Sequence, residues 1–229
     1  MSRLHSNLTA RLLFAGIITL LAPLAACGAP TRVACVGDSI TWGVGIPNPA
    51  INAWPGQLQK MLGKHYKVED FGDPGATLLY DGNLPYYKTP QYKFSTAFKA
   101  KIVIIMLGTN DTKAINWRHH AHFVHDLIKL VKHYQSCTSN VKVWLCLPPQ
   151  VLNTTWIRSQ PNMAINEKNM AGGVIPAIKI VAAKLHLPII NVHDGMHDDK
   201  SLLQADGIHP NVKGQHVVAK IIYRALMKN

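Results

Sequence analysis

A serine stands in Gly37-Asp38-Ser39-Ile40-Thr41, directly after the apolar run Val33-Ala34-Cys35-Val36. The run reads as a short buried strand, and a serine just past it lies at the carboxyl edge of a sheet, where open α/β folds place their ligands. A serine hydroxyl is a poor nucleophile alone, so chemistry at Ser39 requires an imidazole base and donors for a developing oxyanion. Asp-Gly-X-His occurs twice, as Asp194-Gly195-Met196-His197 and as Asp206-Gly207-Ile208-His209. In a tight turn, either spacing lets the carboxylate hold Nδ1–H and leaves Nε2 free for the serine. The second copy is preferred. Pro210 at a helix N1 position would fix the start of a closing helix, and a base on the stem of a packed helix is held rigidly. His197 then falls on the surface or the pocket rim.

Donor candidates follow other strands. Tyr66 to Phe71 reads as a second strand ending in Gly72-Asp73-Pro74-Gly75, where glycine lets a backbone N–H face a pocket without Cβ interference. The continuous apolar run Ile102 to Leu107 reads as a central parallel strand. It ends in Gly108-Thr109-Asn110-Asp111, where the Asn110 amide can aim at an oxyanion, or serve simply as a turn or cap residue.

The remaining elements must position these groups. Trp54 to Leu62 has helical spacing and a C-terminal Gly63. A long connection, 78–95, carries Tyr80, Tyr86, Tyr87 and Tyr92 with Lys88 and Lys93, and a short helix is expected around Ser95–Ala100. Asn116 to Tyr134 reads as one amphipathic helix with Phe123, Leu127, Leu130 and Val131 inward. Its His119, His120, His122 and His125 have a spacing that can chelate a metal, with a solvated face as the simpler reading. Strands at Val141–Leu147 and Leu187–Val192, a helix over 166–186 kinked or delayed by Gly172, Gly173 and Pro176, and a final helix Gly214–Met227 complete the alternation. The expected fold is a three-layer α/β/α sandwich around a five-stranded, flavodoxin-like parallel sheet.

The chain has 229 residues, 48% hydrophobic and 16% charged, which suits one globular domain over 30–229 and excludes a disordered chain. Residues 1–29 form a separate class: Arg3 and Arg11 precede an apolar run, Leu12 to Ala26, that is interrupted by Pro23 and ends in small residues. That pattern is a secretory signal, too short to span a bilayer. Leu24-Ala25-Ala26-Cys27 resembles the lipobox of bacterial lipoproteins. Lipidation at Cys27 would anchor an exported enzyme at the periplasmic face or cell envelope, whereas cleavage nearby would release it. Cys35, Cys137 and Cys146 are left as free thiols without metal spacing. The net charge of +12 stays strongly positive once Arg3 and Arg11 are removed; it favours acidic polymers, anionic glycans or membrane surfaces as neighbours. No nucleic-acid motif appears.

Gly-Asp-Ser-Ile-Thr at 37–41, the glycine block ending at Gly75, Gly-Thr-Asn-Asp at 108–111 and Asp-Gly-Ile-His-Pro at 206–210 occur in that order. Together they make residues 31–229 resemble the SGNH hydrolase superfamily, the GDSL esterases and lipases. The resemblance implies Ser39 as nucleophile, His209 as general base and then acid, and Asp206 as its orienter. It implies an oxyanion hole from the Ser39 N–H, the Gly75 N–H and the Asn110 side chain, with no metal or cofactor. The glycine block departs from the family pattern, lacking the usual preceding asparagine and the serine before its last glycine. Gly72 therefore stays open as an alternative donor.

The strings around Ser39, Gly75 and Asn110, with Asn116-Trp117, are similar to bacterial sialate- or polysaccharide-type O-acetylesterases. This implies removal of a short acyl group, acetyl in the first place, from a small-molecule or polysaccharide ester. Asp38, Trp42 and Trp117 are the pocket candidates, and the aromatic residues at 80–92 and Trp117 could stack on a sugar or simply pack the loop. Competing readings are a lipase, lysophospholipase or thioesterase on longer chains, an acyltransferase, and a non-catalytic glycan-binding module.

Overall fold

Apolar residues run through the central strands at 33–36, 102–106 and 143–147 without a polar face because both sides of the sheet are covered there, whereas the edge strand at 66–72 carries Lys67, Glu69 and Asp70. The computed structural model describes residues 28–152, 164–197 and 199–228. Its strands are β1 (Thr31–Gly37), β2 (Tyr66–Gly72), β3 (Ile102–Met106), β4 (Lys142–Leu147) and β5 (Ile189–Asn191). They form one five-stranded parallel sheet in the order β2-β1-β3-β4-β5. Ala34, Val36, Val103, Ile105, Val143 and Leu145 enter one core cluster, and the alternate Val33, Cys35, Ile104, Met106, Trp144 and Cys146 enter the other.

Helices α1 (Ser39–Trp42), α2 (Trp54–Leu62), α3 (Pro90–Ala97), α4 (Phe123–Cys137), α5 (Ile175–Leu185) and α6 (Val212–Met227) complete the main layers. Leu127, Leu130 and Val131 of α4 and Ile178 and Val181 of α5 cover the first cluster; Trp54 and Leu58 of α2 and Val218 and Ile222 of α6 cover the second. Burying each such side chain contributes about 1.5–3 kcal/mol. The expected three-layer sandwich is the fold observed. Strand order reverses between β1 and β3, so a crevice opens where both end, and Ser39 and Asn110 lie just beyond those ends.

Several boundaries differ from expectation. The helix expected over 116–134 is broken into Ala114–Trp117, a 3-10 turn at His120–His122, and α4. The Trp117 carbonyl is bonded at 2.8 Å by His120 Nδ1, and Asn116 is drawn inward by a loop, so the helical ladder cannot run through. Helix α3 starts earlier than Ser95, because the Thr89 hydroxyl caps it through the Tyr92 N–H and Pro90 occupies its first position. Gly172 and Gly173 sit in a π-helical turn, Met170–Val174, that leads into α5 without a break. Strand β5 is shorter than Leu187–Val192. The leader with Cys27, together with Trp156, lies outside the described residues.

Cys35 and Cys146 are buried free thiols, and burial pushes both up from the ordinary thiol range. Among the described residues no helix is long and apolar enough to cross a membrane.

Candidate active site

Strand β1 delivers Ser39 to the first position of α1, a one-turn helix capped by Asp38, whose Oδ1 accepts the Ile40 N–H at 2.9 Å. Asp38 is fully buried, and that burial raises its carboxyl to about 6. The short helix is held from a distance by Gln215 of α6. Its Nε2 donates to the Ile40 carbonyl at 3.0 Å and its Oε1 accepts the Trp54 N–H at 2.9 Å. Nothing in the local sequence marks this glutamine; its signal is a lone amide on the apolar face of α6.

His209 Nε2 lies 2.8 Å from Ser39 Oγ, although the two residues are 170 apart in sequence. His209 Nδ1 lies 2.6 Å from Asp206 Oδ2. With Nδ1–H donating to the carboxylate, Nε2 is left as the acceptor for the serine hydroxyl. Burial opposes ionisation of Asp206, yet the hydrogen bonds from the His209 ring and from the His209 and Ile208 N–H groups outweigh it and hold the carboxyl below its ordinary range. Asp206 is therefore a carboxylate at neutral pH, the form that can orient an imidazole and stabilise its charged state.

Pro210 does not occupy N1. Helix α6 begins at Val212 with Asn211 as its cap, and Pro210 instead pairs with Leu203 in an isolated antiparallel bridge. Asn211 fixes this corner, donating through Nδ2 to the Ser201 and Leu203 carbonyls and accepting the Gly214 N–H. The rigidity of His209 thus comes from a bridged, capped turn ahead of the helix.

Ser39, Gly75, Asn110 and His209 line one cavity of about 480 Å³, with Val44, Pro74, Thr109, Lys113, Ile165 and Ile208. Among the described residues, neither the Ser39 nor the Gly75 N–H has an acceptor. Gly75 has φ of +88°, a conformation that favours glycine. Gly72, the alternative donor, spends its N–H on Asp70 Oδ1 at 2.7 Å and packs so closely on the Trp42 backbone that a Cβ would meet its nitrogen at 2.4 Å. Its role is packing. Asn110 Nδ2 donates to the Ala76 carbonyl at 3.1 Å and lies 3.5 Å from Asp38 Oδ2. The second contact is at the limit of a hydrogen bond, leaving that N–H available to a better acceptor in the cavity.

The loop bearing Gly75 is held by groups that sequence reasoning passed over. Asp111, fully buried, accepts the Leu78 and Leu79 N–H groups at 3.0 and 2.7 Å, and Asp126 accepts the Tyr80 N–H. Burial raises Asp111 to about 7. Asn116 accepts the Asn83 N–H and donates to Asn83 Oδ1 and to the Asn110 carbonyl, joining the loop to the putting-in-place of Asn110 itself.

The other pocket candidates lie elsewhere. Asp38 is buried as the cap of α1 and does not line the cavity. Trp42 ends α1 and is 41% exposed, and Trp117 packs its indole over Gly173 and stacks on His120; neither lines the cavity. Of the loop aromatics, Tyr86 is buried with its hydroxyl on the Phe71 carbonyl, Tyr92 packs on Tyr86 and Tyr134, and Tyr80 and Tyr87 stack on each other at 4.0 Å. These rings pack the loop. Among the histidines read as potential ligands, His119 and His122 approach Asp81 with ligand atoms within 4.8 Å of one another, away from the cavity lining, while His125 pairs with Asp126.

In the first Asp-Gly-X-His copy, His197 is exposed and outside the cavity lining, and it is His193 that takes Asp194. His193 is buried, with Nε2 at 2.9 Å from Glu167 Oε1 and Nδ1 at 3.1 Å from Asp194 Oδ1. The Glu167 hydrogen bond, chiefly, raises this imidazole above its ordinary range. A raised histidine stabilises the fold while it stays protonated, so this contribution is complete below the unfolded value of about 6.5 and fades as pH rises through the folded value. Thermal denaturation of the native protein and of His193→Gln from pH 5 to 9 should show a difference in Tm that is largest at the acid end and shrinks toward pH 9. A constant difference would contradict this account.

The sequence profile described as the GDSL-like lipase/acylhydrolase family matches residues 35–217. The chain belongs to that family. This GDSL-like acylhydrolase is 35% identical over 212 residues to an acetylxylan esterase of Xylanibacter ruminicola, an alignment covering 85% of this chain and 43% of that protein. The chain thus spans under half the length of that relative. In fold it is similar to a carbohydrate acetylesterase of Sinorhizobium meliloti, with a TM-score of 0.71, 24% identity and coverage of 86% of this chain and 99% of the other. It is similarly close to an aryl esterase of M. smegmatis, with a TM-score of 0.71, 22% identity and coverage of 86% and 99%.

Proposed function

We propose that this acylhydrolase removes acetyl groups from carbohydrate esters through an acetyl-serine intermediate. The observation that carries the reading is the continuous chain Asp206–His209–Ser39, at 2.6 and 2.8 Å, opening into a cavity with unengaged N–H groups. The acetylxylan esterase relative and the carbohydrate acetylesterase fold neighbour support the substrate class. His209 Nε2 takes the Ser39 proton as Oγ bonds to the ester carbon. The oxyanion so formed faces the Ser39 and Gly75 N–H groups and the Asn110 amide. Its collapse breaks the bond to the sugar oxygen, which leaves with the proton held by His209. Water then attacks the acetyl-serine with His209 again as base, releasing acetate and restoring the hydroxyl. Apart from the attacking water, each proton transfer and each contact to the oxyanion in this mechanism is made by a protein group.

Nitrophenyl esters from acetyl to dodecanoyl, with acetylated xylan beside them, test the reading. Hydrolysis should be fastest at acetyl, with acetate released from the glycan. A maximum at medium or long chains would favour the lipase or thioesterase reading, acetyl appearing on an added sugar acceptor would favour acyl transfer, and no turnover would favour a binding module. Asn110→Ala should lower kcat by about 10²–10³-fold with a small change in KM, because its amide is needed most at the charged intermediate. Steady-state kinetics on nitrophenyl acetate measure this directly.

We also propose that residues 1–29 direct export of the single domain that follows and that Cys27 carries a lipid anchor, on the strength of the basic, apolar and small-residue succession at that end. Mass spectrometry of the mature N-terminus distinguishes a lipidated Cys27 from simple cleavage.

A further inference from the structure

Lys113 occupies an unusual place. It follows the turn carrying Asn110, is only 8% exposed, and lines the cavity together with Ser39, Asn110 and His209. Its backbone is fixed: the N–H donates to the Asn110 carbonyl, and its own carbonyl accepts the Asn116 and Trp117 N–H groups. Among the described residues its ammonium has no hydrogen-bond or ion-pair partner. It is not sealed in protein either, since the buried side-chain atoms without partners there are Thr138 Oγ1 and Trp144 Nε1. The charges it senses are Asp38 and Asp111, and both carboxylates are already engaged by backbone N–H groups. A half-desolvated cation that opens on the reaction cavity, with both neighbouring carboxylates already occupied by backbone N–H groups, can take a further anion as partner.

We propose that Lys113 is a specificity residue that pairs with a carboxylate on the sugar being deacetylated, so that the enzyme acts on acidic, uronic-acid-type units. This rests on the carbohydrate acetylesterase reading above and narrows its substrate class. An ammonium is a compact charge suited to one carboxylate, and a charge-assisted bond within a walled cavity discriminates strongly against a neutral hydroxymethyl group in the same place. The protein's excess of lysine and arginine points the same way, drawing anionic polymers to its surface. An alternative role for Lys113, as a counter-charge to the buried Asp38 and Asp111, would affect all esters alike.

The test compares 2-O-acetyl methyl glucuronoside with 2-O-acetyl methyl glucoside, and measures glucuronate against glucose as competitors of nitrophenyl acetate hydrolysis. The native enzyme should favour the charged sugar by about tenfold or more, expressed in KM and in the inhibition constant. Lys113→Gln should bring both ratios near one, Lys113→Arg should retain a preference, and Lys113→Glu should invert it. A native enzyme that cleaves both sugar esters equally overturns the role of Lys113 and leaves the acetylesterase reading standing. If nitrophenyl acetate is hydrolysed and neither sugar ester is, the carbohydrate reading fails and this proposal with it. Should Lys113→Gln not fold, the Lys113→Arg ratio and the native ratio still decide.

Discussion

Replacing Ser39 by alanine should lower kcat by about 10⁶-fold, and adding His209→Ala should cost almost nothing more. In the proposed mechanism the two groups act in one event, since the proton lost by Oγ is the proton gained by Nε2, 2.8 Å away. Removing either leaves only what the N–H groups of the cavity achieve with water as nucleophile. Ser39 lies at the first position of a one-turn helix with Ile40 and Thr41 buried behind it, so deletion of one oxygen leaves the fold intact. An unchanged Tm with no labelling by a fluorophosphonate probe is the expected pattern. If Ser39→Ala retained a tenth of the activity, the nucleophile would have to be sought elsewhere.

Asp206→Asn should lower kcat by about 10⁴-fold, in keeping with the loss found when a serine hydrolase's orienting carboxylate becomes an amide. Asp206 Oδ1 accepts the Ile208 and His209 N–H groups, while Oδ2 holds His209 Nδ1. An asparagine can keep the backbone bonds through its carbonyl and must then present NH₂ to the imidazole. That turns Nδ1 into the acceptor, puts the proton on Nε2 and leaves Ser39 without a base. The native carboxyl is held below its ordinary range, so its stabilising contribution is present above the unfolded value of about 3.9 and is lost as pH falls through the folded one. Tm measured between pH 2 and 6 should fall more steeply for the native protein than for Asp206→Asn. Full activity in the asparagine variant at neutral pH would exclude an orienting role for this carboxylate.

What the sequence disclosed follows from which interactions are local. Strand β1 and the serine after it were legible because Val33 to Val36 is an uninterrupted apolar run broken by glycine. Asp206 and His209 were legible because their contact spans three residues. Asp111 was not, since the amides it holds come from Leu78 and Leu79 on another loop. Gln215 escaped for the same reason, reaching back to Ile40 from α6. The choice between Gly72 and Gly75 needed the positions of Asp70 and Trp42, which no spacing supplies. Pro210 misled because the preference of proline for N1 competes with that of asparagine for the cap, and Asn211 won at the next residue. The break before α4 depended on an imidazole capturing a carbonyl, a choice that hydrophobic periodicity does not record.

The 170-residue separation between hydroxyl and imidazole has a consequence during biosynthesis. A ribosome adding about 5–20 residues per second delivers the serine roughly ten seconds or more before its base exists. Until then the nascent polypeptide holds an ordinary alcohol, with no proton acceptor and no amide clamp from Gln215. Truncated translation products should therefore be inert toward cellular esters, and hydrolytic power should emerge in a single step late in chain growth.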